Sequence, residues 1–348
     1  MEIELAFLPK FNITTSTARN LEIIAESKGV IENAPLLPAY ESRLREEARL
    51  RSVHASIRLE GNRLEEVQVE KVLKGQNVKA WKKDIQEAKN YAKVLDFIDD
   101  IYQKRDFRIT EALIREINKI ILKDIDDKNG GLYRQIPVAV QNTKTGQIIF
   151  QPPEFYDVPI LTRELTQWLN LDKGISPIIE SAIAHYELVR IHPFADGNGR
   201  SSRALAILVL YTRGYNIKRI FSVEDYADEH PDDYYGALRK SDETNTLTPF
   251  VEFFAEALAN ELSKVKDKVL LYSQDRKLRE KIGQVYLNER QWKALATLID
   301  KGQIERVEYE QITGASTKTA ERDLKDLVEK KVVTRIGAGR KYYYKFNP

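Results

Sequence analysis

The chain has 348 residues, 42% of them hydrophobic, with 55 basic against 53 acidic side chains. That length and apolar content suffice for two domains, or for one large domain and a small one. The near-balance of charge excludes a polycation or polyanion, so any nucleic-acid surface must be local. Zero cysteines exclude disulfides, thiolate nucleophiles and Cys-based zinc sites, which fits a reducing compartment. The opening MEIELAFLPKFNITTS carries acids where a signal peptide needs bases, and no run approaches the roughly 20 apolar residues of a membrane span. A soluble, cytoplasmic protein without a membrane partner is expected.

Helical periodicity dominates the chain up to about residue 270, so the fold class is mainly α. In SIRLEG, Ser56 and Glu60 stand four apart and share one helix face, and Gly61 suits the helix end. Further on, TEALIREINKIIL begins with Thr110 as a cap and repeats apolar residues at three and four. Ile136 to Pro153 is β-rich, with a polar turn at Asn142 to Gly146, and reads as a hairpin. SPIIESAIAHYELVRI starts with Ser176 as N-cap and Pro177 at the first helical position, and Ile179, Ala182, Ile183 and Tyr186 form a buried stripe.

Pro193 disfavours helical geometry at His192, which places that histidine in a loop at a helix exit. The next helix, RSSRALAILVLYTRG, buries Leu205, Leu208 and Val209 and stops at Gly214. Gly197, Asn198 and Gly199 therefore lie at a helix N-terminus, where unpaired N–H groups and the dipole favour an anion. Glycines let that backbone approach a phosphate closely. Arg200 and Arg203, three apart, can present forked donors to the same polyanion. Asp196 precedes this nest, and magnesium takes one or two carboxylates together with substrate phosphates and water. His192 can accept a proton from a hydroxyl near neutral pH. Together these groups describe attack by a hydroxyl on a magnesium-bound nucleotide.

Other phosphate and metal motifs fail. There is no Walker Gly-Lys-Ser/Thr, Ser202 stands where a dinucleotide fingerprint needs its third glycine, and the four histidines show no zinc-ligand spacing. His54, His185 and His230 are read as structural.

The stretch HPFADGNGRSSR resembles, at every specified position, the signature of the Fic (filamentation induced by cAMP) domain family, His-x-Phe-x-Asp/Glu-Gly-Asn-Gly-Arg-x-x-Arg. The resemblance implies transfer of AMP from ATP onto a Ser, Thr or Tyr hydroxyl of a protein target. It assigns His192 as general base, Asp196 as magnesium ligand, Gly197 to Gly199 as phosphate nest, and Arg200 and Arg203 as phosphate clamps, with Phe194 anchoring the loop. GGLYRQ is similar to the family element with Gly131, Tyr133 and Arg134, and the hairpin 136–153 resembles the flap that docks the target chain. DDYYGALRKSD is similar to the helix near the adenine and places Tyr235 and Leu238 at the base, with Asp242 where some relatives have Asn. SIRLEG resembles the family's inhibitory motif, in which the glutamate, here Glu60, pairs with the second motif arginine, here Arg203, and Ser56 shares its face. Two rival readings stay open: removal of AMP with Glu60 activating water, and a DNA-binding regulator whose pocket senses nucleotide.

From Asn260 to Ile282 the chain reads as a charged helix with few core positions, a connector or a last packing helix. Beyond it, three short helices and a two-stranded wing turned at Gly337 to Gly339 resemble a winged helix. Residues 284–348 carry 13 Lys or Arg against 9 Asp or Glu. Lys318, Thr319, Arg322 and Lys325 on the third helix, with Arg335, Arg340 and Lys341 near the wing, suit phosphates of duplex DNA. Glu321, Asp323 and Asp326 dilute that charge and keep a protein-interaction or dimerisation module open. The expected organisation is an N-terminal helical segment with the inhibitory motif (1–109), a Fic catalytic core with its hairpin flap (110–260), a connecting helix (261–283) and a C-terminal winged helix (284–348). Expected partners are magnesium-bound ATP, a protein target, duplex DNA and a second copy of the chain.

Overall fold

The computed structural model describes residues 7–36, 38–104, 107–141, 148–171, 173–273, 287–338 and 341–347. The chain divides into two compact units: Met1–Glu32 with Arg45–Lys266, and Asn33–Leu44 with Asp267–Pro348. Helices α1 (Thr15–Asn33), α2 (Pro38–Arg58), α3 (Glu66–Leu73) and α4 (Lys82–Ile101) come first, then α5 (Glu111–Leu122) and α6 (Val158–Leu169). At the centre of the larger unit are α7 (Pro177–Ile191) and α8 (Asn198–Thr212), with α4 and α5 against α8 and α6 against α7.

The sequence predicts one apolar stripe on α7. Instead every residue from Ile178 to Leu188 is buried, as is every residue from Arg200 to Leu210 on α8. The small side chains of Ser181, Ala182, Ala184, Ser202 and Ala206 make this affordable, because they let neighbouring backbones approach, and the Ser181 hydroxyl donates to the Ala206 carbonyl at 2.8 Å. The caps sit where the sequence puts them. Ser176 accepts from the Ile178 N–H, Thr110 accepts from the Leu113 N–H, and Gly214 takes φ +77° after α8.

Strands β1 (Val140–Gln141) and β2 (Ile148–Phe150) pair antiparallel, Val140 with Phe150 and Gln141 with Ile148, so the hairpin is present. Its polar turn lies outside the described residues. After α8 come α9 (Glu224–Glu229), α10 (Pro231–Thr244) and α11 (Thr248–Ser273). The last of these begins well before Asn260, because Phe250, Phe253 and Phe254 give it an aromatic face packed around His185 and Tyr234.

The smaller unit runs α12 (Glu289–Lys301), β3 (Gln303–Ile304), α13 (Arg306–Thr313), α14 (Thr317–Glu329), β4 (Val333–Ala338) and β5 (Lys341–Phe346). Its sheet has three strands in the order β3-β5-β4, all antiparallel, where the sequence reads only two. The third, β3, is too short to show a period. Gly339 and Arg340 of the expected wing turn lie outside the described residues. Leu295, Leu298, Tyr309, Ala320, Leu324 and Leu327 fill the core, and Tyr344 joins them while Tyr342 lies under the Arg335 guanidinium, 4.0 Å from it. Among the described residues, no helix is long and apolar enough to cross a membrane.

One buried acid organises this unit. Asp323, 3% exposed, accepts from Arg290 at 2.7 and 3.2 Å, from the Asn288 amide at 3.1 Å and from the Tyr309 hydroxyl at 3.2 Å. Asp323→Ala removes these acceptors at once and leaves the Tyr309 hydroxyl unpaired in the core. Chemical denaturation followed by Trp292 fluorescence should show this unit losing about 2–4 kcal/mol.

Candidate active site

The site is built on the turn between α7 and α8. His192 closes α7 in the left-handed conformation, φ 50° and ψ 57°, with its N–H on the Leu188 carbonyl. A non-glycine residue holds that conformation only where its surroundings fix it. Arg134, 3% exposed, does so: its Nε donates to the His192 carbonyl at 2.8 Å, its backbone N–H to the Pro193 carbonyl at 2.9 Å, and Nη2 to the Pro153 carbonyl at the base of the hairpin. Phe194 is fully buried. The Asn198 side chain closes the loop by accepting from the Phe194 N–H at 2.9 Å and donating to its carbonyl at 2.8 Å.

From α5, the Asn118 amide donates to the Asp196 carbonyl at 2.9 Å and its oxygen accepts from the Gly131 N–H at 2.9 Å. Gly131 has no substitute there, since φ is +73° and a Cβ would stand 2.7 Å from the Arg115 carbonyl oxygen. Tyr133 pairs with Phe194 as an antiparallel bridge, so Tyr133 and Arg134 support the loop's backbone directly and Gly131 does so through Asn118.

His192 Nδ1 lies 3.3 Å from the Val189 carbonyl, an acceptor only, so the proton belongs on Nδ1 and Nε2 is the basic nitrogen. Burial pushes the His192 pKa below the ordinary histidine value, outweighing the nearby carboxylates of Glu60 and Asp196.

Gly197, at φ +80°, caps α8, so its first N–H groups face the loop. An anion already stands there. Glu60, just beyond the end of α2, lies so close to Gly199 that a Cβ on that residue would be 2.2 Å from its Oε1. Arg203 donates from Nη2 to Glu60 Oε1 at 2.7 Å and to the Ser56 carbonyl at 2.9 Å, and from Nε to Ser56 Oγ at 2.9 Å. The Arg203 side chain is 3% exposed and that of Glu60 28%. Burial raises the Glu60 pKa, but Arg203 and Arg200 outweigh it and hold the carboxyl below the usual range. The stabilisation from this pair is therefore present above the unfolded pKa and is lost only as pH falls through the lower folded value.

Arg200 points elsewhere. Its guanidinium, 3% exposed, lies 3.3 Å from Glu87 of α4 and 3.4 Å from Asp196. Its Nε and Nη1 are buried with no hydrogen-bond partner among the described residues. The Glu87 carboxylate also accepts from the Asn62 amide at 2.7 Å, which ties the turn after Gly61 to Arg200. The Asp196 side chain is 48% exposed and accepts from the Gly197 N–H with one oxygen. Among the described residues, no cluster of three or more His, Asp or Glu could hold a metal ion.

Of the residues expected at the base, Tyr235 is half-exposed and donates its hydroxyl to the Leu59 carbonyl at 2.9 Å, while Leu238, further along α10, is partly buried. Asp242 accepts from the Tyr186 hydroxyl. His185 is buried beside the Tyr234 hydroxyl, 3.0 Å away, and burial lowers its pKa to about 3, as suits a structural residue.

A polar seam holds α2 in place. Arg51 reaches Glu261 at 2.7 Å and Asp225 at 2.6 Å, Arg58 reaches Asp228 at 2.7 Å, and buried Glu224 takes the hydroxyls of Ser52 at 2.6 Å and Tyr91 at 2.7 Å. Burial raises the Glu224 pKa. Sequence reasoning missed Asn62, Glu87, Asn118 and Glu224. Asn62 alone carried a signal, adjacent to the helix-ending Gly61.

Residues 108–210 match the Fic/DOC family. The chain is 30% identical over 243 residues to a protein adenylyltransferase Fic of Culex quinquefasciatus, covering 68% of this chain and 46% of that protein. A protein of the same name from Aedes aegypti is 32% identical over 219 residues, covering 62% and 41%. The chain thus spans less than half the length of these curated relatives. A Fic family protein from Desulfovibrio desulfuricans matches the fold over 98% of both chains, with TM-score 0.70 and 24% identity. A Fic domain containing signaling protein from Bacteroides thetaiotaomicron matches 73% of this chain and 97% of its own, with TM-score 0.61 and 28% identity. The turn that carries His192 and the helix that carries Arg203 therefore belong to a Fic/DOC family domain, in a chain distantly homologous to proteins named protein adenylyltransferase Fic.

Proposed function

We propose that the protein transfers AMP from ATP to a Ser, Thr or Tyr hydroxyl of a target protein, and that Glu60 restrains the reaction. The observation that carries this reading is the Glu60 carboxylate lying on Gly199 and paired with Arg203 at 2.7 Å. An anion-accepting helix terminus with a buried arginine is filled by the chain's own carboxylate, which is how a phosphate site is kept from use.

In the reaction, Nε2 of His192 takes the proton of the target hydroxyl as its oxygen bonds to the α-phosphorus. The bond from that phosphorus to the β-phosphate oxygen breaks, and pyrophosphate leaves. The N–H groups that open α8 hold the α-phosphate region, and Arg200 and Arg203 take the outer phosphates. The buried Nε of Arg200, without a hydrogen-bond partner among the described residues, suits such a ligand. The half-exposed Asp196, with one oxygen engaged, fits a magnesium ion whose other ligands are phosphate oxygens and water. That ion would neutralise charge on the leaving group. The target chain would lie along the hairpin, where Ile136 and Ile148 are exposed, and extend its pairing. Tyr235 and Leu238 would border the base.

The smaller unit is read as a winged helix whose α14 meets duplex DNA. Lys318 and Arg322 are exposed on that helix and form no ion pair among the described residues. For the full chain, Lys318→Ala with Arg322→Ala should weaken binding to a duplex and reduce the slope of log affinity against log salt by about 0.9 per lost phosphate contact. A slope unchanged by both substitutions leaves a protein-interaction surface.

Incubation with α-labelled ATP, magnesium and cell extract tests the activity. Glu60→Gly should label protein at least about tenfold faster than the wild type. Adding Arg203→Ala should abolish that gain, and adding His192→Ala should slow it by roughly 10²- to 10⁴-fold. No labelling by Glu60→Gly rejects the transferase reading, and loss of AMP release from a modified protein in that variant makes Glu60 a catalytic group for removal.

A further inference from the structure

A helix end leaves its last carbonyls without intrahelical donors. At the end of α2 the Ala55 carbonyl takes the Leu59 N–H at 3.1 Å, the Ile57 carbonyl takes those of Glu60 at 3.1 Å and Asn62 at 3.2 Å, and the Arg58 carbonyl takes that of Gly61 at 2.9 Å. Two carbonyls take side-chain donors instead. That of Ser56 accepts from Arg203 at 2.9 Å, and that of Leu59 accepts from the Tyr235 hydroxyl at 2.9 Å. The two donors flank Glu60 from different helices, Arg203 on α8 and Tyr235 on α10. The negative end of the α2 dipole thus points at the phosphate site together with the carboxylate.

We propose that Tyr235 is a positioning residue whose hydroxyl clamps the Leu59–Glu60 peptide and so keeps Glu60 on Arg203. This deepens the autoinhibited reading above and rests on it. The peptide it holds is a natural pivot: Gly61 follows at φ +84° with open space around its α-carbon, so this turn has backbone freedom and little packing of its own. Without the hydroxyl, the turn keeps its backbone hydrogen bonds, the Arg203 ion pair and the Asn62 amide, which donates to Glu87 and to the Asp84 carbonyl, but the Leu59 carbonyl loses its donor. The Tyr235 ring packs edge-on against Tyr234, with centroids 4.9 Å apart, and Phe keeps that contact. The substitution Tyr235→Phe therefore removes the clamp and little else.

Two readouts on the full chain test this. Hydrogen exchange of the Glu60, Gly61 and Asn62 amides should quicken about three- to tenfold in Tyr235→Phe, with α7 and α8 amides unchanged. Transfer of α-labelled AMP should rise in kcat by a similar or smaller factor, the opposite sign to the loss expected from a merely structural tyrosine. Unchanged exchange at these three amides overturns the clamp, whatever the activity. Faster exchange with no transfer by Tyr235→Phe or by Glu60→Gly keeps the clamp and rejects the transferase reading, so the two failures are distinguishable.

Discussion

A guanidinium buried to 3% exposure needs an anion, and in this protein Arg203 finds it in Glu60. An isolated buried charge costs several kcal/mol, so Arg203 either pairs within the chain or is paired by a ligand. The surrounding structure serves this choice. Helix α8, buried on all sides, holds Arg203 rigidly, Ser56 fixes the guanidinium's orientation, and Gly199 leaves room for one carboxylate. The same space and the same N–H groups would suit a phosphate, so in the proposed reaction carboxylate and nucleotide would compete for one position.

The histidine end of the site depends on backbone geometry rather than on charge. His192 sits in a left-handed conformation because Arg134, Asn118 and Asn198 together fix the carbonyls and N–H groups of residues 192–196 from three directions. These groups are bonded to main chain, so their loss would move His192 without touching its ring. His192 and Arg203 thus have separate supports, α5 with the Gly131 turn on one side and Ser56 and Glu60 at the end of α2 on the other.

Much of this was legible in the residues. Pro193 after His192, the glycines at a helix start and the four-residue spacing of Ser56 and Glu60 each express a local backbone rule, and local rules survive folding. The 2.7 Å pair between Glu60 and Arg203 is reached from the sequence only through resemblance, since no periodicity links positions 143 residues apart. Asn118, Glu87 and Glu224 escaped for that same reason: a polar side chain on a helix looks solvated until the tertiary contact that buries it is known. The spacing of Arg200 and Arg203 lets both face one anion, and the contacts of Arg200 with Glu87 at 3.3 Å and Asp196 at 3.4 Å are tertiary ones that the spacing does not show. Strand β3 was missed because two residues cannot display a period, and the start of α11 because its aromatic face is wider than an amphipathic stripe.

If Glu60 stands where a nucleotide phosphate would, its removal must open that place to one. A crystal structure of Glu60→Gly with magnesium and a non-hydrolysable ATP analogue tests it most directly. A phosphate oxygen should then lie within hydrogen-bond distance of the Arg203 guanidinium and against the Gly199 backbone. A nucleotide whose phosphates lie away from Gly199, with Arg203 still bonded only to Ser56, would contradict it.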